Sequence, residues 1–173
     1  MLKMISRISY CSIEQKGKIV DIDGGIGAVG NIKSLGLEIG DKISISSRKN
    51  GRGKISVLKD DNEISLGYEL ASKILIECDE QPKVTLDKIK VGDTMRVVKM
   101  GAQGDIRFRL LDMGLVKGVK LKVVRKAPLG DPIEVFLNGF YLSLRLEEAE
   151  NIEVEVVQIH KSNGKGKKHW GLF

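Results

Sequence analysis

Cysteine, histidine and proline are scarce in this sequence, whose 173 residues include two Cys, two His and three Pro. Cys11 and Cys78 stand far apart, whereas small secreted domains carry closely spaced cysteines as a disulfide framework. The scarcity excludes such a framework and favours a reduced compartment. We therefore predict two structural thiols in a cytoplasmic protein.

Long apolar segments are missing as well. Nowhere do the roughly 18 consecutive apolar residues of a membrane-crossing helix occur. The first ten residues, MLKMISRISY, alternate apolar and polar side chains and lack the apolar stretch of a signal peptide. With 42% hydrophobic and 30% charged residues, the composition is that of a globular protein. We expect no membrane insertion, so any membrane role would depend on a partner.

Catalytic signatures are absent too. The sequence has no Ser, His and Asp set at recognisable spacing, no nucleophile elbow, and no phosphate loop ending in Gly-Lys-Ser or Gly-Lys-Thr. Residues 25–30, GIGAVG, match the glycine pattern of dinucleotide-binding loops. However, Gly36 ends the candidate helix early, and no acidic residue stands about 20 positions further on. We interpret this segment as a barrel loop and predict no enzymatic activity.

The positive charge is concentrated at one end of the chain. The formal net charge is +6, but residues 1–83 hold 13 basic and 12 acidic side chains, and residues 84–157 hold 12 and 11. Residues 158–173 hold 4 basic side chains and no acidic ones, among Gly, Ser and Asn. We predict a basic flexible tail at 158–173 and a nearly neutral body.

An internal repeat organises the body of the chain. The segment LGLEIGDK at 35–42 is echoed by MGLVKGVK at 113–120, an offset of 78. The same offset, carried without a gap, aligns Val20 with Val98, Ile55 with Ile133, Val57 with Val135, Leu66 with Leu144, and Ile74 with Ile152. Such a match indicates duplication. We predict domains at 1–79 and 80–157, joined in the segment CDEQPK at 78–83.

The second copy gives the clearer pattern of elements. Alternating residues predict five short strands, and Asn138-Gly139 predicts a two-residue hairpin turn. Asp105 is expected to cap a short helix that buries Ile106, Leu110 and Met113 and that Gly114 ends. The fold class is therefore mainly β, with two tandem SH3-like small β-barrels, each with one short helix.

The hairpin turn also predicts which side chains face the core. A two-residue turn places Leu137 opposite Phe140 and puts these residues on one face with Ile133, Val135, Leu142 and Leu144. The opposite face then carries Phe136 across from Tyr141. We expect the first six side chains to be buried and the aromatic pair to form an interface, either with a partner or with the other repeat.

The first copy keeps the core pattern but loses the outer side chains. Leu58 and Glu63 stand where Phe136 and Tyr141 are found, and Val29, Gly30 and Asn31 replace Arg107, Phe108 and Arg109. We therefore place the main contact site on the second copy.

Residues 84–157 resemble the ferrous iron transport protein A (FeoA) family. Three segments in this order carry the resemblance: LDKIKVGDTMRVVKM, RFRLLDMGLVKGVKLKVVRKAPLGDPIEV and LSLRLEEAENIEVE. The first copy resembles the same family weakly and lacks the arginine helix and the Gly-Asp-Pro loop. The resemblance implies a small cytosolic SH3-like protein that assists the membrane ferrous iron transporter FeoB, which has a cytosolic GTP-binding domain. Similar barrels occur in iron-dependent repressors.

Two functions remain open at this point. The first is a non-enzymatic accessory or regulatory protein of ferrous iron transport that binds the cytosolic part of FeoB. The alternative is a small-barrel module that binds nucleic acid or acts in iron-dependent regulation, favoured by the basic strand region from Lys120 to Lys126. Near-neutral barrels and the lack of an aromatic ladder argue against nucleic acid.

The candidate partner-binding residues all belong to the second copy: Arg107, Phe108, Arg109, Arg125, Lys126, Phe136 and Tyr141. The two helix arginines could meet acidic groups of a partner through their forked donors, or pair with Asp105 or Asp112. We predict no cofactor and no metal ligands, because His160 and His169 both fall in the predicted tail. Iron would then be the cargo of the partner.

Overall fold

A computed structural model describes residues 3–162, which form two six-stranded antiparallel sheets in tandem. The elements of the first domain are β1 (Met4–Arg7), a 3₁₀ turn (Ile8–Tyr10), β2 (Lys16–Ile22), α1 (Ile26–Ser34), β3 (Lys42–Arg48), β4 (Ile55–Lys59), β5 (Asn62–Leu66), α2 (Tyr68–Lys73) and β6 (Ile74–Cys78). Those of the second are β7 (Lys83–Thr85), a 3₁₀ turn (Leu86–Lys88), β8 (Thr94–Met100), α3 (Gly104–Asp112), β9 (Lys120–Lys126), β10 (Ile133–Leu137), β11 (Phe140–Leu144), α4 (Leu146–Ala149) and β12 (Ile152–Gln158).

The two domains share one topology. The first sheet has the order β1-β6-β2-β3-β4-β5, and the second has the equivalent order β7-β12-β8-β9-β10-β11. Strands β2 to β5 and helix α1 recur as β8 to β11 and α3 at the offset of 78 residues. The tandem SH3-like architecture is therefore confirmed.

Each domain encloses its own apolar core. In the first, alternate residues of β3 and β4 point inward, so that Ile43, Ile45 and Val57 are buried. In the second, the equivalent Val123 and Val135 are buried in the same way. The period-two pattern of the strands therefore specifies both cores.

Each domain has one more strand and one more helix than the sequence predicted. The extra strand β7 has only three residues and one buried apolar side chain, Val84, so it shows no detectable alternation. The extra helix α4 was predicted as a turn. It is capped by the side chain of Glu148, which accepts a hydrogen bond from the backbone N–H of Arg145 at 2.9 Å.

The predicted hairpin register is confirmed. Strands β10 and β11 pair Ile133 with Leu144, Val135 with Leu142, and Phe136 with Tyr141. Asn138 and Gly139 have φ angles of 47° and 86°, the left-handed values that this turn requires. The predicted burial of Phe140 was wrong: this residue directly follows the turn, where the pairing of β10 and β11 ends, and it is 42% exposed.

Helix α3 buries less than its sequence predicted. Leu110 is fully buried, but Ile106 is 45% exposed, because this nine-residue surface helix has only a narrow inner face. The helix begins after Gln103, so Asp105 lies within the first turn and is not the capping residue. Gly114 has a φ of 89° just beyond the helix, as expected.

The two domains meet in a buried seam. Tyr10 belongs to the first domain by sequence but packs into the core of the second. Tyr68 donates a hydrogen bond from its hydroxyl to the Lys88 carbonyl at 2.7 Å. Gln81, between the domains, donates to the Val156 carbonyl at 3.0 Å.

The chain continues in an ordered segment after β12. The sequence assigned residues 158–162 to the flexible tail, but Gln158 ends β12 and residues 159–162 run along the seam. A Cβ atom at Gly92 would lie 2.8 Å from Cδ2 of His160, so the ring rests directly on this glycine. The rest of the predicted tail, including His169, lies outside the described residues. Across residues 3–162, no helix combines the length and apolar character needed to cross a bilayer.

Candidate protein-binding surface

Helix α3 presents the three predicted contact residues to solvent. Phe108 is 66% exposed. Arg107 donates from Nη1 to the Met100 carbonyl at 2.9 Å, which anchors its side chain along the start of the helix. Arg109 forms an ion pair with the buried side chain of Glu148 in α4, in place of the pairing with Asp105 or Asp112 that the sequence allowed.

A second group of predicted residues lies on the outer face of β9, β10 and β11. The rings of Phe136 and Tyr141 stand 5.0 Å apart at an angle of 57°. Tyr141 is 65% exposed. Beside them Arg125 pairs with Glu134 at 2.7 Å. Cross-strand pairing holds this aromatic pair in place, so the outer face offers a rigid apolar centre with a charged edge.

The helix group and the sheet group meet at the hairpin turn. A Cβ atom at Gly114 would lie 3.0 Å from Nδ2 of Asn138, so the end of α3 abuts the turn between β10 and β11. The structure therefore brings Arg125, Phe136 and Tyr141 onto one face, and it places Arg107, Phe108 and Arg109 on an adjoining helix.

Lys126 does not join either group. Its Nζ donates to the Asp87 carbonyl of the same domain at 2.8 Å. Burial, together with the nearby charge of Arg52 in the first domain, lowers the pKa of Lys126 to about 8. Lys126 is thus better placed for contacts inside this chain than for contacts with a partner.

The first domain has a plainer equivalent of this surface. Leu58 pairs with Glu63 at the positions of Phe136 and Tyr141. The Glu63 side chain accepts a hydrogen bond from the Ser46 hydroxyl at 2.8 Å. The polar substitution leaves no aromatic pair on this sheet face.

The described residues contain no cluster suited to a metal ion. Within residues 3–162, no group of three or more His, Cys, Asp or Glu side chains converges. Both cysteines are free and buried. Burial raises the pKa of the Cys11 thiol to about 12 and also raises that of Cys78, so neither is a reactive thiolate near neutral pH.

The model of the FeoA domain family matches the chain twice, at residues 7–78 and 84–156. The chain belongs to the FeoA domain family. A Campylobacter jejuni relative described as a putative Fe(2+) transport protein A is 31% identical over 74 residues, which cover 43% of this chain and 100% of that protein.

Two further relatives bear on the arrangement of FeoA domains. The Fe(2+) transport protein A/Fe(2+) transporter FeoB fusion protein of Porphyromonas gingivalis is 39% identical over 72 residues, or 42% of this chain; the match spans only 8% of the fusion protein. The solution structure of iron(II) transport protein A from Clostridium thermocellum has a TM-score of 0.56 at 18% identity. It aligns over 94% of this chain and 93% of its own, so it shares the fold along nearly the whole length.

A buried ionic network joins the two FeoA domains, and sequence reasoning missed it. Arg7 in β1 is fully buried, and its guanidinium forks onto Asp93 of the second domain, with Nε–Oδ2 at 2.7 Å and Nη2–Oδ1 at 3.0 Å. Nη1 donates to Asp23 Oδ2 and to the Ser72 carbonyl, both at 2.8 Å. Nη2 also donates to the His160 carbonyl at 2.7 Å. All five N–H groups of Arg7 are therefore used.

The two carboxylates of the network bind further groups. The Tyr10 hydroxyl donates to Asp93 at 2.6 Å, and the backbone N–H of His160 donates to the same carboxylate at 2.8 Å. Ser162 donates to Asp23 through its backbone N–H at 2.7 Å and its hydroxyl at 2.9 Å. The network thus holds the segment after β12 as well as both domains.

The environment of the network shifts the pKa of its members in different directions. Burial on its own would raise the pKa of Asp23, but hydrogen bonds from Arg7 and Ser162 outweigh it, and the pKa is lowered. Burial and the charge of Asp93 raise the pKa of Tyr10 well above its usual value.

The sequence contained one signal for this network. The repeat offset aligns Arg7 with Thr85, so the first copy has a charged residue where the second has a small polar one.

Proposed function

We propose that this protein is a non-enzymatic accessory protein of ferrous iron transport, whose second FeoA domain binds the cytosolic part of a FeoB-type transporter. The observation that carries the partner assignment is the Porphyromonas gingivalis relative, in which a FeoA-like segment and a FeoB transporter share one chain. Fusion gives two modules a high effective concentration for each other, which favours a contact that separate proteins must make by diffusion. The proposal places the protein in the cytoplasm.

The chemistry of the exposed surface supports a protein partner. Phe108 and Tyr141 are 66% and 65% exposed, and aromatic and arginine side chains are the types that contribute most to binding at protein interfaces. Arg107 and Arg125 stand beside them and could form forked hydrogen bonds with carboxylates of the transporter. The contact would act by holding the transporter in one conformation, with no chemical step on this chain.

Iron itself is assigned to the transporter in this proposal. The described residues bring no set of metal ligands together, so the second domain would sense or alter the partner's conformation and not the ion. The first FeoA domain would support the second through the seam, because its own outer face carries Leu58 and Glu63.

A pull-down from solubilised membranes tests the proposal. The chain is immobilised and recovery of the FeoB-type transporter is compared for wild type, Arg107→Glu and Tyr141→Ala. Matched controls carry Val29→Glu and Glu63→Ala, the equivalent positions of the first domain. We expect recovery to fall by about 10-fold or more for the two second-domain variants, as for residues central to an interface, and to stay unchanged for the controls. Equal recovery by all five proteins would refute the proposed surface.

A further inference from the structure

A groove of about 320 Å³ opens along the seam between the two FeoA domains. Its walls come from both domains. Arg48, Lys49, Asn50 and Gly51 of the first domain stand on one side, and Lys83, Val84, Thr85 and Lys88 of the second stand on the other. A single FeoA domain has no such groove, because neither wall is complete without the other domain.

The groove is strongly basic. Four cationic side chains line it (Arg48, Lys49, Lys83 and Lys88) and only one carboxylate does, that of Glu153. Within residues 3–162, the ammonium groups of Lys49 and Lys83 have no ion-pair or hydrogen-bond partner. The charge in the groove is therefore uncompensated, unlike the near-neutral balance of the chain's body.

Two of these cations, Arg48 and Lys88, are held in place by hydrogen bonds. Arg48 donates to the Ser9 carbonyl at 2.8 Å and to the Cys11 carbonyl, so its guanidinium is fixed while other N–H groups remain. The Lys88 ammonium lies 3.3 Å from the Thr85 hydroxyl. The side chain of Ser12 lines the same groove. Fixed donors lose little conformational freedom when they bind an anion.

The positive charge continues past the groove. Arg52 follows Gly51 in the same loop, and its guanidinium carbon lies 5.9 Å from the centroid of the Tyr68 ring. Lys126 is half-buried, and burial together with the nearby charge of Arg52 lowers its pKa.

We propose that the seam groove binds a small anion through a diphosphate group, bridging Arg48 and Lys49 of the first domain to Lys83 and Lys88 of the second. Four cations facing one carboxylate favour a ligand with several negative charges, and phosphate oxygens accept hydrogen bonds from ammonium and guanidinium groups with strong, charge-assisted geometry. The volume lies at the small end of ligand pockets, which suits a diphosphate and leaves a larger ligand partly outside.

Binding at this groove would require both domains in their docked arrangement. A ligand that contacts both walls stabilises the docked arrangement of the domains, because it binds that arrangement and not the separated one. The second domain alone could not bind it.

Isothermal titration calorimetry with pyrophosphate, at constant ionic strength, tests the proposal. The proteins are wild type, the double variant Lys49→Gln/Lys83→Gln, and the control Lys117→Gln/Lys120→Gln, which loses the same charge from exposed positions of the second domain. We expect saturable 1:1 binding by wild type, weakened about 10-fold or more in the groove variant, since two charge-assisted contacts are lost. The control should bind within about 2-fold of wild type, because distant exposed charges are screened by salt.

A second arm identifies the source of the diphosphate group. ADP is titrated beside pyrophosphate: tighter binding of ADP indicates a nucleotide ligand, and equal or weaker binding indicates a free oligophosphate, both within the proposal. Lack of saturable binding to wild type would overturn it. So would an equal loss of affinity in the groove variant and in the control, because that result would show a general charge effect with no site.

Discussion

Among single residues, Arg7 connects parts of the chain that no sequence pattern places together. Its fully buried guanidinium reaches two carboxylates and two backbone carbonyls, and the partners lie as far as 153 positions away in the chain. Hydropathy patterns place an arginine on a surface by default. Only the three-dimensional arrangement of β1 and the second domain shows where its charge is satisfied.

Replacing Arg7 with Met should destabilise the protein by about 3–5 kcal/mol, because the buried carboxylates of Asp23 and Asp93 would lose their main cation. Urea denaturation followed by circular dichroism measures the change. Arg96→Met is the matched control; Arg96 is 42% exposed and lies 3.4 Å from Glu155. Its loss should cost less than about 1 kcal/mol, as for other surface ion pairs. Similar effects of both substitutions would contradict the assigned role of Arg7.

Asp23 should make stability depend on pH on the acid side. Its pKa is lowered in the folded state, so its contribution is complete above the unfolded-state value of about 3.9 and is lost as the pH falls through the lower folded value. Urea midpoints measured from pH 5 downward should fall less steeply for Asp23→Asn than for wild type. The control Asp105→Asn removes an exposed carboxylate of α3, and its urea midpoint should depend on pH as that of wild type does. If the urea midpoint of Asp23→Asn also followed the wild-type pH dependence, the contribution of Asp23 would be ruled out.

At the scale of elements, the sequence predicted the hairpin better than the helix. Asn138-Gly139 determines the turn, and the turn determines the register, so the outer position of Phe136 and Tyr141 followed from two residues. Helix α3 could not be predicted as well, because a nine-residue surface helix buries one side chain fully and the sequence does not show which. The exposure of Ile106 and Phe140 depends on how the helix and the end of the hairpin pack on the rest of the domain, which the pattern of one element does not show.

Two glycines, Gly30 inside α1 and Gly114 just beyond the equivalent helix α3, should respond to alanine in opposite ways. Gly114→Ala should cost about 1–2 kcal/mol, because its φ of 89° disfavours a side chain and the new Cβ would lie 3.0 Å from Asn138. Gly30 lies in the interior of α1, where an added Cβ atom would meet no heavy atom within 4 Å apart from its neighbours in the helix itself. Gly30→Ala should therefore stabilise the protein by roughly 0.5–1 kcal/mol. Thermal unfolding of both variants measures the difference. A stabilising Gly114→Ala would contradict the described end of α3.

For the whole molecule, we propose that the two copies have different roles. The repeat offset predicted the shared topology and the two cores. It also showed that only the second copy carries the outer arginine and aromatic side chains. It could not predict the seam, because Arg7 and Tyr10 bind Asp93 across the domain boundary, a contact that a single domain cannot make. The seam fixes the plainer first domain against the second and leaves the outer face of β9 to β11 and helix α3 open to solvent.

Amide hydrogen exchange of this protein, measured by mass spectrometry with and without the cytosolic domain of a FeoB-type transporter, shows directly which domain contacts the transporter. We expect added protection in residues 104–112 and 133–144 of the second domain, and none in the equivalent residues 26–34 and 55–66 of the first. Protection confined to the first domain, or no change in either domain at saturating partner, would contradict it.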